Sequence, residues 1–156
     1  MAVYQFYREQ KIPATKREVW DFISSPANLK VITPDYMGFN ITSKHMAAKM
    51  YAGQIISYIV KPALGIPVTW VTEITQVKEM EYFIDNQLVG PYKLWHHQHT
   101  IKEINGGTLM TDLITYAPPL GILGRIANSL MISNKIKQIF DYREKKLVEI
   151  FGEITK

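Results

Sequence analysis

The chain has no cysteine among its 156 residues. That excludes disulfides, thiolate catalysis and every zinc site built on sulfur, and it fits the reducing cytoplasm expected as its compartment. No apolar run approaches the ~18 residues of a membrane span, so no stable membrane insertion is expected. The first ten residues, MAVYQFYREQ, carry charge too early for the apolar part of a secretory leader. A phosphate-cradling glycine loop and a dinucleotide fingerprint are both missing. There is no internal repeat, low-complexity tract or linker, so residues 1–156 are expected to form one domain. Basic residues exceed acidic ones by 18 to 14. They are scattered apart from Arg143, Lys145 and Lys146, and no nucleic-acid-reading motif accompanies them, so nucleic acid is not an expected partner. Weak attraction to anionic lipid surfaces or acidic ligands stays open. What remains, 47% hydrophobic and 21% charged, is the composition of a soluble globular protein with a substantial core.

The pattern along the chain predicts an α+β protein. A strand over Val3–Ile12 ends at Pro13. Thr15 with Glu18 has the spacing of a helix capping box, and Val19, Trp20 and Ile23 give the helix that follows an apolar stripe. A second short helix is expected from Pro26 to about Val31, stopped by Thr33-Pro34. Six strands follow, at about Phe39–Ser43, Gln54–Lys61, Val68–Val77, Met80–Gln87, Tyr92–Glu103 and Thr108–Tyr116. They are separated by turn residues that include Gly90-Pro91 and Asn105-Gly106-Gly107. One long helix is expected after Gly121 and Gly124, running to about Gly152. Its apolar positions include Ile126, Leu130, Ile136, Phe140, Leu147 and Ile150.

The most informative stretch is FIDNQLVGPYKLWHHQHTI, Phe83 to Ile101. Strand side chains alternate between faces. Phe83, Asp85 and Gln87 therefore share one face, and Trp95, His97, His99 and Ile101 share one on the next strand. The same reading groups Ile56, Tyr58 and Val60; Trp70, Thr72 and Ile74; and Thr108, Met110, Asp112, Ile114 and Tyr116. On the last helix Ile136, Phe140, Arg143 and Leu147 form a stripe. Polar groups able to do chemistry thus share a face with large apolar groups, which is the composition of a small-molecule cavity wall. A β-bulge would reverse the parity of any strand that contains one.

These residues and the order of elements resemble the START and Bet v 1-like (SRPBCC) superfamily, in particular its bacterial ligand-binding and polyketide cyclase/dehydrase-like members. The resemblance rests on the following stretches: ATKREVWDFISSPANLKVITP; Ile74; Phe83 with Asp85 and Gln87; GPYKLWHHQH; Asp112 and Tyr116; the Pro-Pro-Leu-Gly start of the last helix; and Phe140, Tyr142 and Arg143. It covers essentially the whole chain, and the GPY-x-x-W-x-H-x-H pattern looks like an uncharacterised bacterial branch. It implies a helix-grip fold, a curved antiparallel sheet of about six to seven strands wrapped around the last helix. It also implies a deep cavity for a small hydrophobic or aromatic ligand, lipid- or polyketide-like. Most members of such a family bind or carry; a minority catalyse cyclisation, dehydration or hydrolysis.

The residues expected on the cavity wall are Tyr58, Trp70, Phe83, Asp85, Gln87, Trp95, His97, His99, Asp112, Tyr116, Phe140 and Arg143. Three readings of the histidines stand side by side. They are hydrogen-bonded lining; or His97 or His99 works with Asp85 or Asp112 as a general acid–base; or both imidazoles bind a metal with one aspartate as third ligand. The leading expectation is binding without metal or cofactor, with a cyclase/dehydrase-like or hydrolase-like enzyme as the alternative. A third possibility is a protein-interaction module that uses the outer face of the sheet. Arg143 could grip a ligand carboxylate or carbonyl, His96 is expected to meet solvent, and Pro118 to Ser129 could gate the cavity.

Overall fold

In the computed structural model, which describes residues 2–62 and 65–154, seven strands form one antiparallel sheet. They are β1 (Tyr4–Ile12), β2 (Asn40–Ile41), β3 (Gln54–Val60), β4 (Val68–Lys78), β5 (Tyr82–Val89), β6 (Leu94–Ile104) and β7 (Gly107–Ala117). The order across the sheet is β1-β7-β6-β5-β4-β3-β2. Strands β2 to β7 form a meander, and β1 closes the far edge by pairing with β7 from Tyr4↔Tyr116 to Ile12↔Thr108. Helix α1 (Lys16–Ile23) and two short 3-10 turns, Pro26–Lys30 and Asp35–Met37, lie between β1 and β2. The α+β class and the helix-grip arrangement are those expected.

Helix α1 starts as its sequence dictates. The Thr15 hydroxyl accepts from Glu18 N, and Glu18 Oε2 accepts from Thr15 N at 2.8 Å. Its buried face carries Val19, Trp20 and Ile23 into the main core, where they join Ile12, Phe83, Ile101, Met110 and Leu147. A second cluster, Ile114, Tyr116, Ile136 and Phe140, packs the other end of the sheet on the last helix. Arg8 of β1 reaches across to Asp141 at 2.6 Å and to Glu144, tying the sheet edge to that helix.

Several boundaries differ from expectation, each for a local reason. The strand expected over Phe39–Ser43 pairs only at Asn40 and Ile41. Beyond them the amides of Thr42 and Ser43 both donate to Ser57 O, and Ser43 Oγ accepts from Ser57 N at 2.7 Å, so a side chain takes the ladder's place. Met80 is not in β5. It sits in the turn with φ 64, and Glu81 N donates to Lys78 O across it. Tyr92 precedes β6.

Two bulges punctuate the β4–β5 pair. Thr75 is the extra residue between the pairs Ile74↔Asp85 and Gln76↔Ile84, and Leu88 the extra residue between Thr72↔Gln87 and Val71↔Val89. Past Thr75 the parity of β4 reverses, so Val77 packs against the core where Gln76 would have been.

The last helix begins earlier than expected and is not uniform. Helix α2 (Gly121–Ala127) runs through a π segment, Asn128–Ile132, into α3 (Ser133–Phe151). The wider π turn shifts the helical face. Ile136, Phe140 and Leu147 are buried, whereas Ile126, Leu130 and Ile150 of the expected stripe face outward. Asn128 within the π segment is buried and accepts from Tyr116 OH at 2.9 Å.

Ile114 is wholly buried between β7 and α3. Ile114→Ala should lower unfolding free energy by about 2–5 kcal/mol, read as a lower urea midpoint with an unchanged m-value.

Candidate ligand cavity

Three neighbouring strands assemble the polar centre. In the β5–β6 register Asp85 stands opposite His97 and Phe83 opposite His99; in the β6–β7 register Asp112 stands opposite His99 and Ile114 opposite His97. The His-x-His spacing puts both imidazoles on the inner face, between an aspartate on either side. His97 Nε2 donates to Asp112 Oδ1 at 2.9 Å, and His99 Nδ1 lies 2.9 Å from that same oxygen. On the other flank His99 Nε2 is 2.9 Å from Asp85 Oδ2, and His97 Nδ1 is 3.7 Å from it. Arg143 of α3 approaches Asp112 Oδ1 with Nη1 at 3.6 Å. The rings lie face to face: His99 stacks on Phe83 with centroids 4.1 Å apart, and His97 lies over His99 at 3.6 Å, tilted by 37°.

The electrostatics follow from this crowding. Burial raises the pKa of the Asp112 carboxyl, but hydrogen bonds from His97 and His99 overcome burial and leave it ionised, well below the usual range. Asp85 is held low in the same way, burial being outweighed by the His99 hydrogen bond and by the charges of His97, His99 and Arg143. Burial and the charge of His99 push His97 down to about 4, against the pull of Asp112 and Asp85. For His99, burial is more than offset by hydrogen bonds to both carboxylates, and its pKa is raised. The two histidines are thus shifted in opposite directions, His97 towards the neutral form and His99 towards the charged form. Opposed shifts in neighbouring titratable groups are the pattern that acid–base sites show.

Next to this cluster lies a cavity of about 130 Å³ between the sheet and α3. Of the expected wall residues, Tyr58, Trp70, Phe83, Asp85, Trp95, His97, His99, Phe140 and Arg143 line it, and Gln87, Asp112 and Tyr116 do not. Gln87 has the right parity but commits its amide to the turn, donating to Tyr92 O at 2.7 Å and accepting from Tyr92 N. Asp112 stands behind the histidines. Tyr116 turns its hydroxyl to Asn128 and packs against Tyr4 and Tyr92. His96, on the outer face, is half-buried and bonded to Asn86 at 2.7 Å, not simply solvated. No residue from Pro118 to Ser129 lines the cavity.

Sequence reasoning misses several wall residues. Thr72 shares the inward face but is absent from the expected wall. It accepts from Trp70 Nε1 at 3.0 Å and bonds Tyr58 OH at 3.0 Å, so both aromatic polar tips are satisfied. Tyr92 reaches the wall from the turn, 4.7 Å from the ring of Trp95, although strand parity would have turned it away. Met37 comes from the 3-10 turn after Pro34, outside every expected element, and Phe39 from the start of the strand expected over Phe39–Ser43, whose faces the spacing leaves unassigned.

The opposed shifts set a pH dependence of stability. His97 titrates near 4 when folded against about 6.5 when unfolded. The stability due to its neutral burial is present above about 6.5 and is lost as pH falls towards 4. Asp85 and Asp112, both depressed, act in the same direction further into acid. His99, raised, contributes stability present below about 6.5 and lost as pH rises through its folded value. Chemical denaturation should show a loss on the order of 2 kcal/mol between about pH 6.5 and pH 4.5, and His97→Gln, which keeps a donor for Asp112, should flatten that acid limb.

Comparison with known proteins gives structural relatives only; no protein-family model and no curated protein matches the chain. Protein CV1439 from Chromobacterium violaceum superposes with a TM-score of 0.70 at 12% identity, covering 96% of this chain and 99% of that one. TTHA0849 from Thermus thermophilus gives 0.66 at 16% identity, with 94% and 99% covered. Ginseng major latex-like protein 151 from Panax ginseng gives 0.66 at 11% identity, with 96% and 97% covered. The likeness, over nearly the whole of each chain, is one of fold: the seven-stranded antiparallel sheet with its long last helix is the Bet v 1-like helix-grip arrangement that the sequence resemblance implied.

Proposed function

We propose that this protein binds a small, largely aromatic molecule carrying one polar or anionic oxygen group, and holds it between α3 and the inner face of the sheet. The observation that carries this reading is the two-ended wall. At one end stand Tyr58, Trp70, Tyr92 and Trp95, with Trp70 and Trp95 edge to face at 5.2 Å. At the other stand Asp85, His97, His99 and Arg143. Aromatic rings favour a flat apolar body in edge-to-face or offset contact, and the polar end fixes its orientation.

Size narrows the choice. Benzene fits a cavity of about 150 Å³, close to the 130 Å³ here. A single ring fits; a long acyl chain or a multi-ring polyketide would have to displace wall side chains. Arg143 lines the cavity and favours the anionic end of such a molecule, since a guanidinium pairs with a carboxylate or a phenolic oxygen.

A thermal-shift panel of single-ring carboxylates and phenols, multi-ring flavonoids and fatty acids tests the proposal. At about 100 times Kd a bound ligand should add about 2.7 kcal/mol, a rise of roughly 5–10 °C for a domain of this size. Single-ring acids should give the largest shifts. Val60→Phe, which fills the cavity, should abolish them, and Arg143→Leu should weaken carboxylates more than phenols. No shift with any compound, or equal shifts in Val60→Phe, would overturn the reading.

A further inference from the structure

Two details of the polar cluster go beyond ligand lining. Asp112 Oδ1 is within 2.9 Å of one nitrogen of each ring, His97 Nε2 and His99 Nδ1. With one N–H of each imidazole directed at Asp112, the remaining nitrogens are His97 Nδ1 and His99 Nε2. These do not diverge. Both face Asp85 Oδ2, at 3.7 and 2.9 Å. One ligand atom from each of Asp85, His97 and His99 lies within 4.8 Å of the other two.

We propose that Asp85, His97 and His99 form a binding site for a divalent first-row transition ion, oriented from behind by Asp112. Two imidazoles and a carboxylate are a donor set that such ions take with positions left open. Bonds of about 2.0–2.2 Å place neighbouring donors on the order of 3–3.5 Å apart; the 2.9 and 3.7 Å separations from Asp85 bracket that range, and the two ring nitrogens, within 4.8 Å of each other, would draw together on the ion. The outer support is in place as well. Ligating histidines characteristically donate their far N–H to a carboxylate that fixes tautomer and ring direction, and here one fully buried aspartate serves both. The stack of Phe83, His99 and His97 holds the ring planes.

The cavity lies on the open side. Asp85, His97 and His99 line it and Asp112 does not, so the remaining coordination positions face the space where a small molecule would sit. Charge then selects the ligand. The carboxylates of Asp85 and Asp112 are offset in part by Arg143, and a doubly charged ion brings the sum to one positive charge. An anionic oxygen donor from the cavity, a carboxylate, enolate or phenolate, would neutralise it. This last step rests on the proposed cavity function; binding of the ion itself does not.

The experiment uses the whole protein, stripped with a chelator and titrated with Zn²⁺ by calorimetry and with Co²⁺ by visible absorption. The expected result is one ion per chain with a Kd of about 10 μM or tighter, and Co²⁺ bands in the visible. Asp112→Asn should weaken binding about 10–100-fold, and His97→Ala with His99→Ala should abolish it, while His96→Gln leaves it unchanged. Far-UV circular dichroism checks that each variant is folded. Should the double variant not fold, His99→Gln and Asp85→Asn serve in its place, and the wild-type titration decides alone. Failure of the wild-type protein to bind either ion, or binding that survives loss of both histidines, overturns the proposal. A protein that binds the metal but none of the aromatic panel would separate this inference from the cavity reading.

Discussion

Asp112 has 1% of its surface exposed, and a buried carboxylate costs several kcal/mol unless donors replace its water. Here one oxygen receives His97 and His99 at 2.9 Å, with Arg143 at 3.6 Å. That requirement fixes more than one side chain. It sets the rotamers of two residues on β6, draws Arg143 inward from α3, and leaves the second nitrogen of each ring facing Asp85 on β5. Three strands and the last helix are thereby held in one register by a single acid. Removing one partner of such a buried pair leaves an uncompensated charge, which destabilises more than the pair itself stabilises.

The polar centre also explains how a hollow is tolerated between sheet and helix. A dry apolar void of 130 Å³ would cost about 3 kcal/mol at ~24 cal/mol per Å³, a sizeable share of a domain's whole stability. Polar groups on part of the wall lower that cost by giving water or a ligand something to bond. At the aromatic end Tyr58 and Trp70 have their polar tips already satisfied, since both turn to Thr72. These two offer flat apolar surface. The division of labour within the cavity is thus set by which side chains have already found partners in the fold.

Much of this was readable from residue spacing. Strand alternation put Asp85, His97, His99 and Asp112 on one face because β5 pairs with β6 without interruption from Tyr82↔Thr100 to Asn86↔His96, and β6 with β7 from Leu94↔Ala117 to Ile104↔Gly107. Where pairing is irregular, reading along one strand loses information. The Thr75 bulge reverses β4 only beyond the cavity, so Trp70, Thr72 and Ile74 kept their predicted face, while Val77 past the bulge joins them on the core side against simple alternation. Gln87 had the correct parity and still left the wall, because the neighbouring turn offered its amide two backbone partners. Periodicity describes which way a side chain points, not what competes for it. The helix shows the same limit. Ile126 and Leu130 fit an apolar stripe on paper, but the π segment between α2 and α3 turns that stripe outward.

The stacking of the rings decides what the polar centre can do. A histidine free to rotate can satisfy one aspartate and then another, and its nitrogens have no fixed direction. His99 cannot do so, because it lies between the rings of Phe83 and His97 at 4.1 and 3.6 Å, while Phe140 closes the edge of His97 at 5.8 Å. The nitrogens are therefore aimed before anything binds, and the ordering cost has been met during folding. Apolar neighbours thus do for direction what Asp112 does for charge. The mixture of greasy and functional residues on one face of FIDNQLVGPYKLWHHQHTI is the arrangement that holds a buried cluster in fixed directions beside a cavity.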